Sequence, residues 1–163
     1  MTTVSPPWRD LEDNYENAPH MVLHQIRGNF SLETSVFATT NESEESAGIL
    51  VWKDPHHHLR FEQTCKIVND QLEQQIILVV EGGESVTMNL STPPTPIFLR
   101  LVRSGQTFSG YYSTVGMLRG WYHVGDATFQ ASDPVDVGLE ITNSYRDGIF
   151  SADFDYFVMT IQK

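Results

Sequence analysis

The sequence has little cysteine, little positive charge and no long apolar run, and each shortage excludes a class of protein. Its one cysteine, Cys65, cannot form a disulfide within the chain, so a scaffold stapled by its own disulfides is excluded. Ten basic residues stand against 21 acidic ones, and a net charge of −11 repels phosphate backbones and anionic bilayers. We therefore expect no nucleic-acid partner and no membrane partner.

Recognisable catalytic and metal-binding motifs are also missing. No G-x-S-x-G context surrounds any serine, which argues against a serine hydrolase. The run His56-His57-His58 invites a metal hypothesis, but neighbouring strand residues point to opposite faces, so only His56 and His58 could share an ion. We interpret the run as a solvated turn, predict no catalytic residue and no cofactor, and leave the metal site unknown.

The N-terminal stretch differs in composition from the rest. Residues 1–19 hold three prolines and four acidic residues, which predicts an extended or loosely docked arm, with residues 20–163 forming a single domain. The stretch lacks a basic segment followed by an apolar one, so we expect no secretory signal and cytoplasmic placement. A domain excised from a larger secreted protein would show the same features.

Period-2 alternation of apolar and polar residues dominates the remainder. Its best example is the predicted hairpin Phe98–Ser113, in which Ser104-Gly105 supplies the turn. No credible amphipathic helix is present, so the sequence predicts an all-β sandwich or jelly roll of two antiparallel sheets. Strands are predicted over 20–26, 30–38, 47–53, 58–63, 65–68, 71–80, 85–90, 98–103, 107–113, 121–124, 135–142 and 149–161.

Six stretches, in this order, resemble one known family. They are GNFSLETSVFA (28–38), SAGILVWKDPHHHLRFE (46–62), IFLRLVRSGQTFSGYYSTVG (97–116), WYHVG (121–125), VDVGLEITN (135–143) and SADFDYFVM (151–159). Together they are similar to the concanavalin A-like jelly-roll domain found at the C-terminus of β-xylosidases and in related DUF1349 proteins. The resemblance implies a concanavalin A-like jelly-roll β-sandwich. Members are often accessory modules beside a glycosidase, one distant branch looks like a yeast protein implicated in regulating enolase, and such folds sometimes hold calcium.

A set of planar polar and aromatic side chains forms the candidate ligand site. Aromatic plates and planar donors and acceptors suit sugars, and five residues supply them: Trp52, His58, Arg60, Glu62 and Arg100. Alternation with Leu59, Phe61, Leu99 and Leu101 predicts that both arginines point away from the core. The alternative is a polar outer sheet face with arginines laid across it. Of Tyr111, Tyr112 and Trp121, we interpret at least two as packing residues.

Three functions compete on these observations. We expect a non-catalytic, lectin-like module that binds carbohydrate on the concave sheet. The alternative is a protein-interaction or regulatory module whose partner is unknown. A glycoside hydrolase, or an accessory domain of one, is third: hydrolysis needs two carboxyls about 5–10 Å apart, and Asp153, Asp155 and Glu140 are only candidates by residue type. Oligomeric state cannot be derived from the sequence.

Overall fold

The computed structural model describes residues 2–4, 21–40, 45–90, 96–116, 120–143 and 150–162, which form strands and no helix. It follows that this part of the chain contains no helix able to cross a membrane. The strands are β1 (Thr2–Val4), β2 (Met21–Ile26), β3 (Phe30–Ala38), β4 (Ser46–Asp54), β5 (His57–Val68), β6 (Gln71–Val80), β7 (Ser85–Leu90), β8 (Ile97–Ser104), β9 (Thr107–Ser113), β10 (Tyr122–Thr128), β11 (Val135–Thr142) and β12 (Ser151–Ile161).

Two six-stranded sheets form the sandwich. Sheet A has the order β1-β12-β3-β8-β9-β10, and sheet B has the order β2-β11-β4-β5-β6-β7. Every strand pair in the described residues is antiparallel. Successive strands change sheets at β1–β2, β2–β3, β3–β4, β7–β8, β10–β11 and β11–β12, which gives the crossed connections of a jelly roll. The predicted all-β, two-sheet sandwich is confirmed.

Most predicted strands coincide with observed ones, and the exceptions have local causes. The two strands predicted over 58–63 and 65–68 are one strand, β5, because Thr64 is a β-forming residue and does not break the ladder. Of the predicted N-terminal arm, Thr2–Val4 pair with β12 as an edge strand, and residues 5–19 lie outside the described residues.

The core lies between the sheets and follows the alternation. Leu59 and Phe61 of β5 and Leu99 and Leu101 of β8 are fully buried, so Arg60 and Arg100 point away from the core as predicted. Gly110 makes room for Phe61, because a Cβ at that position would stand 2.6 Å from a carbon of the Phe61 ring. The whole apolar cluster joins both sheets through Phe30, Leu32, Ile49, Ile76, Leu78, Phe108, Leu139 and Phe154, among others.

One arginine occupies the inward side of β8. Arg103 continues the alternation of Leu99 and Leu101 and is buried. Its guanidinium donates to Asp133 Oδ1 at 2.6 Å and to the Gly105 carbonyl at 3.0 Å. Its Cζ also lies 5.7 Å from the ring centres of Phe30 and Phe108. Arg103 therefore closes one end of the core and ties it to the neighbouring loops.

Candidate functional site

The five predicted site residues do not share one face. Trp52, His58, Arg60 and Glu62 lie on the outer face of sheet B, on the neighbouring strands β4 and β5. Arg100 lies on the outer face of sheet A, on the opposite side of the sandwich. The prediction that all five line one sheet is therefore wrong for Arg100, because alternation tells which way a side chain points but not which sheet a strand joins.

On sheet B, Trp52 and His58 form a cross-strand pair. Their rings stack with centroids 5.3 Å apart and planes inclined by 23°, and His58 is 1% exposed. Burial and the nearby charge of Arg60 lower the pKa of His58, while Glu81, 3.5 Å away, opposes them. His58 is therefore neutral at pH 7 and serves as a packed aromatic ring rather than a charged group.

Beside that pair lies what we call the carboxyl pair, Glu62 of β5 and Glu140 of β11. Both strands flank β4, where Gly48 stands directly opposite each glutamate. A Cβ at Gly48 would collide with the Phe61 carbonyl and stand 2.8 Å from the Glu62 Cβ, so only glycine leaves space there. The missing side chain lets the two carboxyls meet above the strand.

The carboxyl pair is buried and polarised. Glu62 is 3% exposed and Glu140 is 2% exposed. Ser46 Oγ donates to Glu62 Oε2 at 3.0 Å, and Arg60 Nη1 lies 3.3 Å from Glu62 Oε1. Burial, and then the negative charge of Glu62, raise the pKa of Glu140 well above its usual range. Glu62 thus has a cation and a hydroxyl donor beside it, whereas burial and the Glu62 charge disfavour the ionised form of Glu140.

On sheet A, four side chains line up across four strands, and we call them the Arg100 row. Register places Glu33 of β3 opposite Arg100 of β8, Arg100 opposite Tyr111 of β9, and Tyr111 opposite His123 of β10. Such directly paired side chains are close enough to interact on one face. The row therefore alternates an acid, a cation, an aromatic ring and an imidazole.

Contacts within the Arg100 row fix its geometry. Arg100 Nε donates to Glu33 Oε1 at 2.8 Å, and the Arg100 guanidinium carbon lies 4.1 Å from the ring centre of Trp121. The Tyr111 and His123 rings are 5.0 Å apart, and His123 Nε2 lies 3.0 Å from Asp126 Oδ1. Each charged group thus has an internal partner, which holds the aromatic rings in place.

Tyr156 lies beside the row. Its hydroxyl oxygen is buried and has no hydrogen-bond partner among the described residues. Burial and the charge of Glu33 raise the pKa of Tyr156 to about 12, although Arg100 opposes them. Thr34 Oγ1 donates to the Tyr156 carbonyl at 2.6 Å, inside the irregular register of β12. This bond anchors the bulge that directs Tyr156 towards Glu33.

Exposure distinguishes the Arg100 row from the carboxyl pair. The side chains of Arg100 and Glu33 are 29% and 18% exposed, and that of His123 is 48% exposed. His58, Glu62 and Glu140 of sheet B are buried, as given above. A ligand in solution can therefore touch the Arg100 row directly, whereas the carboxyl pair is closed to it.

Sequence reasoning missed most of the Arg100 row. Tyr112 packs against the core cluster, whereas Tyr111 lies against His123 and Trp121 lies against Arg100. That at least two of these three rings are packing residues stays a prediction. The predicted hairpin turn did contain the signal: Ser104 pairs with Thr107, and counting back along both strands puts Arg100 opposite Tyr111. Glu33 and Glu140 depend on pairing between distant strands, which no local pattern reveals.

No metal centre emerges from the described part of the chain, where no three histidine, cysteine, aspartate or glutamate side chains are grouped to hold an ion. In the histidine run, His57 Nδ1 lies 2.8 Å from Asp54 Oδ1, and His58 is buried under Trp52. The two residues thus have different structural roles.

Comparison with known proteins identifies the family. The model of the β-xylosidase C-terminal concanavalin A-like domain, GH43_C2, matches residues 9–160. The chain belongs to this family. A comparison with curated protein sequences gives no significant match.

Solved structures agree on the fold. The domain is similar to the GH43 protein BlXynB from Bacillus licheniformis, at 20% identity and a TM-score of 0.74, over 97% of this chain and 32% of that one. It is similar to a functionally unknown protein from Saccharomyces cerevisiae, at 19% identity and a TM-score of 0.70, over 98% of this chain and 84% of that one. It also resembles GH43B of a xyloglucan locus in Bacteroides ovatus, at 15% identity and a TM-score of 0.67, over 88% and 29%. The chain spans about a third of the length of BlXynB and 84% of the length of the yeast protein.

Proposed function

We propose that this chain is a non-catalytic, lectin-like module that binds carbohydrate at the Arg100 row of sheet A. The observation that carries the proposal is the partly exposed Arg100 row together with the adjoining Trp121, because Trp121 and Tyr111 lie beside a guanidinium already held by Glu33. Aromatic rings with a few oriented polar groups suit the apolar faces and hydroxyls of a sugar. Family membership supports a carbohydrate-related role, because other members are domains of GH43 proteins.

The charges of the site favour neutral sugars. Glu33 pairs with Arg100, and Asp126 lies beside His123, so the row carries no unbalanced positive charge. The chain as a whole carries a net charge of −11, which disfavours the approach of anionic glycans. We therefore choose neutral oligosaccharides as the probes.

Binding to a glycan array, followed by titration calorimetry of four proteins, tests the proposal. At millimolar ligand even a site of roughly −4 kcal/mol would register. Trp121→Ala and Arg100→Ala should each weaken binding at least tenfold. Tyr122→Ala is the matched control, because Tyr122 is an exposed aromatic residue next to Trp121 whose ring packs on Tyr112 instead. It should bind like the wild type.

Each remaining outcome has a defined meaning. If both Trp121→Ala and Arg100→Ala still bind the sugar like the wild type, the sugar binds elsewhere and the assignment to sheet A is overturned. No binding to any neutral glycan would overturn the carbohydrate proposal. Melting curves of all variants show whether a lost affinity reflects a lost fold.

A protein-interaction or regulatory module is the second candidate. Phe37 and Val158 are 50% and 44% exposed on the same outer face of sheet A; Val158 stands opposite Glu33, and Phe37 lies four residues further along β3. Exposed apolar residues beside polar ones are typical of protein contacts.

Glycoside hydrolysis is less well supported. A retaining glycosidase holds its two carboxyls about 5 Å apart and an inverting one further apart, both around an open sugar site. Glu62 and Glu140 instead are both buried and stand opposite the same residue, Gly48. Turnover of an aryl-glycoside by the purified chain would overturn this judgement. Cytoplasmic placement and the absence of nucleic-acid and membrane partners stay predictions from composition.

A further inference from the structure

The carboxyl pair has no part in the proposed sugar site, and it places two acidic side chains together in a buried position. Two acidic side chains from β5 and β11 meet over Gly48, each almost fully removed from water. Two ionised carboxylates in that position would repel each other and would both lack hydration. The Oε1 atom of Glu140 is buried and has no hydrogen-bond partner among the described residues.

The surroundings can neutralise one negative charge but not two. Arg60 of β5 is the one cation near the pair among the described residues, and it lies against Glu62. From β4, Ser46 donates to Glu62 and Gly48 contributes no side chain. On β11 itself, Asp136 lies further along the same face and is paired with His24 of β2. Glu62 is therefore stabilised as the anion, and Glu140 is not.

We propose that Glu62 and Glu140 share a single proton in the folded domain, so that folding takes up a proton and this pair stabilises the domain more in mild acid than at higher pH. The proton resides on Glu140, which donates a hydrogen bond to the Glu62 carboxylate. Unfolding separates the two side chains and exposes both to water. Each then ionises as an ordinary glutamic acid.

The sign of the pH dependence follows from proton binding. Burial and the Glu62 charge place the folded-state pKa of Glu140 above its ordinary value of 4.5. Between the unfolded and folded pKa values the native state therefore holds a proton that the unfolded state has lost. Stability is fully present below about pH 4.5 and falls as pH rises towards the folded pKa, by up to tenfold in the unfolding constant per pH unit.

His58 changes stability with pH in the opposite direction, and its contribution must be separated from that of Glu140. Burial lowers the pKa of His58, so just below about pH 6.5 the unfolded state binds a proton that the folded state does not bind. That contribution increases stability as pH rises to about 6.5. Comparing wild type with a Glu140 variant at each pH removes it, because both proteins contain His58.

Denaturant unfolding of wild type and Glu140→Gln from pH 5 to pH 9 tests the proposal. The wild type should lose stability relative to Glu140→Gln as pH rises, with up to a tenfold change in the ratio of their unfolding constants per pH unit. Glu73→Gln is the matched control: it removes a carboxyl from β6 of the same sheet, opposite Lys66 and away from the pair. Its ratio to wild type should not change with pH.

A second measurement keeps the proposal testable if Glu140→Gln does not fold. An infrared titration of the wild-type protein from pH 5 to pH 9 should show the carbonyl stretch of one carboxylic acid that persists after ordinary glutamic acids have ionised, and this band should disappear on unfolding. A ratio of the wild-type unfolding constant to the Glu140→Gln unfolding constant that stays flat or falls as pH rises would overturn the proposal. So would a folded protein without the acid band.

Discussion

The two outer faces of the sandwich carry the same kinds of residue in different states. Sheet A presents Trp121, His123, Arg100 and Glu33, and sheet B presents Trp52, His58, Arg60 and Glu62. On sheet A the arginine and its glutamate are partly exposed, whereas on sheet B the glutamate and the histidine are buried. Residue types alone therefore do not distinguish a surface that meets ligands from a polar cluster that holds strands together.

A glycine causes much of the difference. Gly48 lets the side chains of sheet B close over β4, while the corresponding positions in the Arg100 row all carry side chains that stand out from the sheet. Exposure, and not composition, is thus the property from which we infer the ligand face.

Substituting Gly48 should have the largest effect on stability. In Gly48→Ala the new methyl group collides with the Phe61 carbonyl and the Glu62 backbone, which cannot move without breaking the β4–β5 ladder. We expect a loss of about 3 kcal/mol or failure to fold, at the upper end of overpacking costs. Denaturant unfolding measures it. As a control, Gly82→Ala has open space around the new methyl and a positive φ of 67°, so it should cost only about 1 kcal/mol.

Removing the arginine from each face should give unequal losses. Arg60→Met leaves the Glu62 carboxylate buried without its cation, and we expect a loss of about 3 kcal/mol. Arg100→Met leaves Glu33 partly hydrated, so the loss should stay below about 1 kcal/mol. Thermal and denaturant unfolding of both variants measures the two losses of stability. Equal losses, or a larger loss at Arg100, would contradict the distinction between the faces.

The sequence was sufficient for features that depend on neighbours along the chain. The hairpin β8–β9 has its turn where Ser104-Gly105 predicts it, and Gly105 adopts a φ of 62°. Burial of Leu59, Phe61, Leu99 and Leu101 follows from alternation, and so does the outward direction of both arginines. These predictions need no knowledge of which strands meet.

Features that depend on distant strands were not available from the sequence. Glu62 and Glu140 come together only because β11 and β5 both flank β4, an arrangement set by the packing of the whole sandwich. The same global order sends β8 to sheet A and β5 to sheet B, which is why Arg100 is separated from the other four predicted site residues. Local alternation is identical in either arrangement.

A chemical-shift map of sugar binding tests the central claim most directly. Amide spectra of the isotope-labelled wild-type chain, recorded during titration with neutral oligosaccharides to millimolar concentration, report which strands meet the ligand. We predict that the shifts cluster on β3, β8, β9 and β10, around Glu33, Arg100, Tyr111 and His123. Shifts centred instead on β4, β5 and β11, or no shifts with any neutral sugar, would contradict the account.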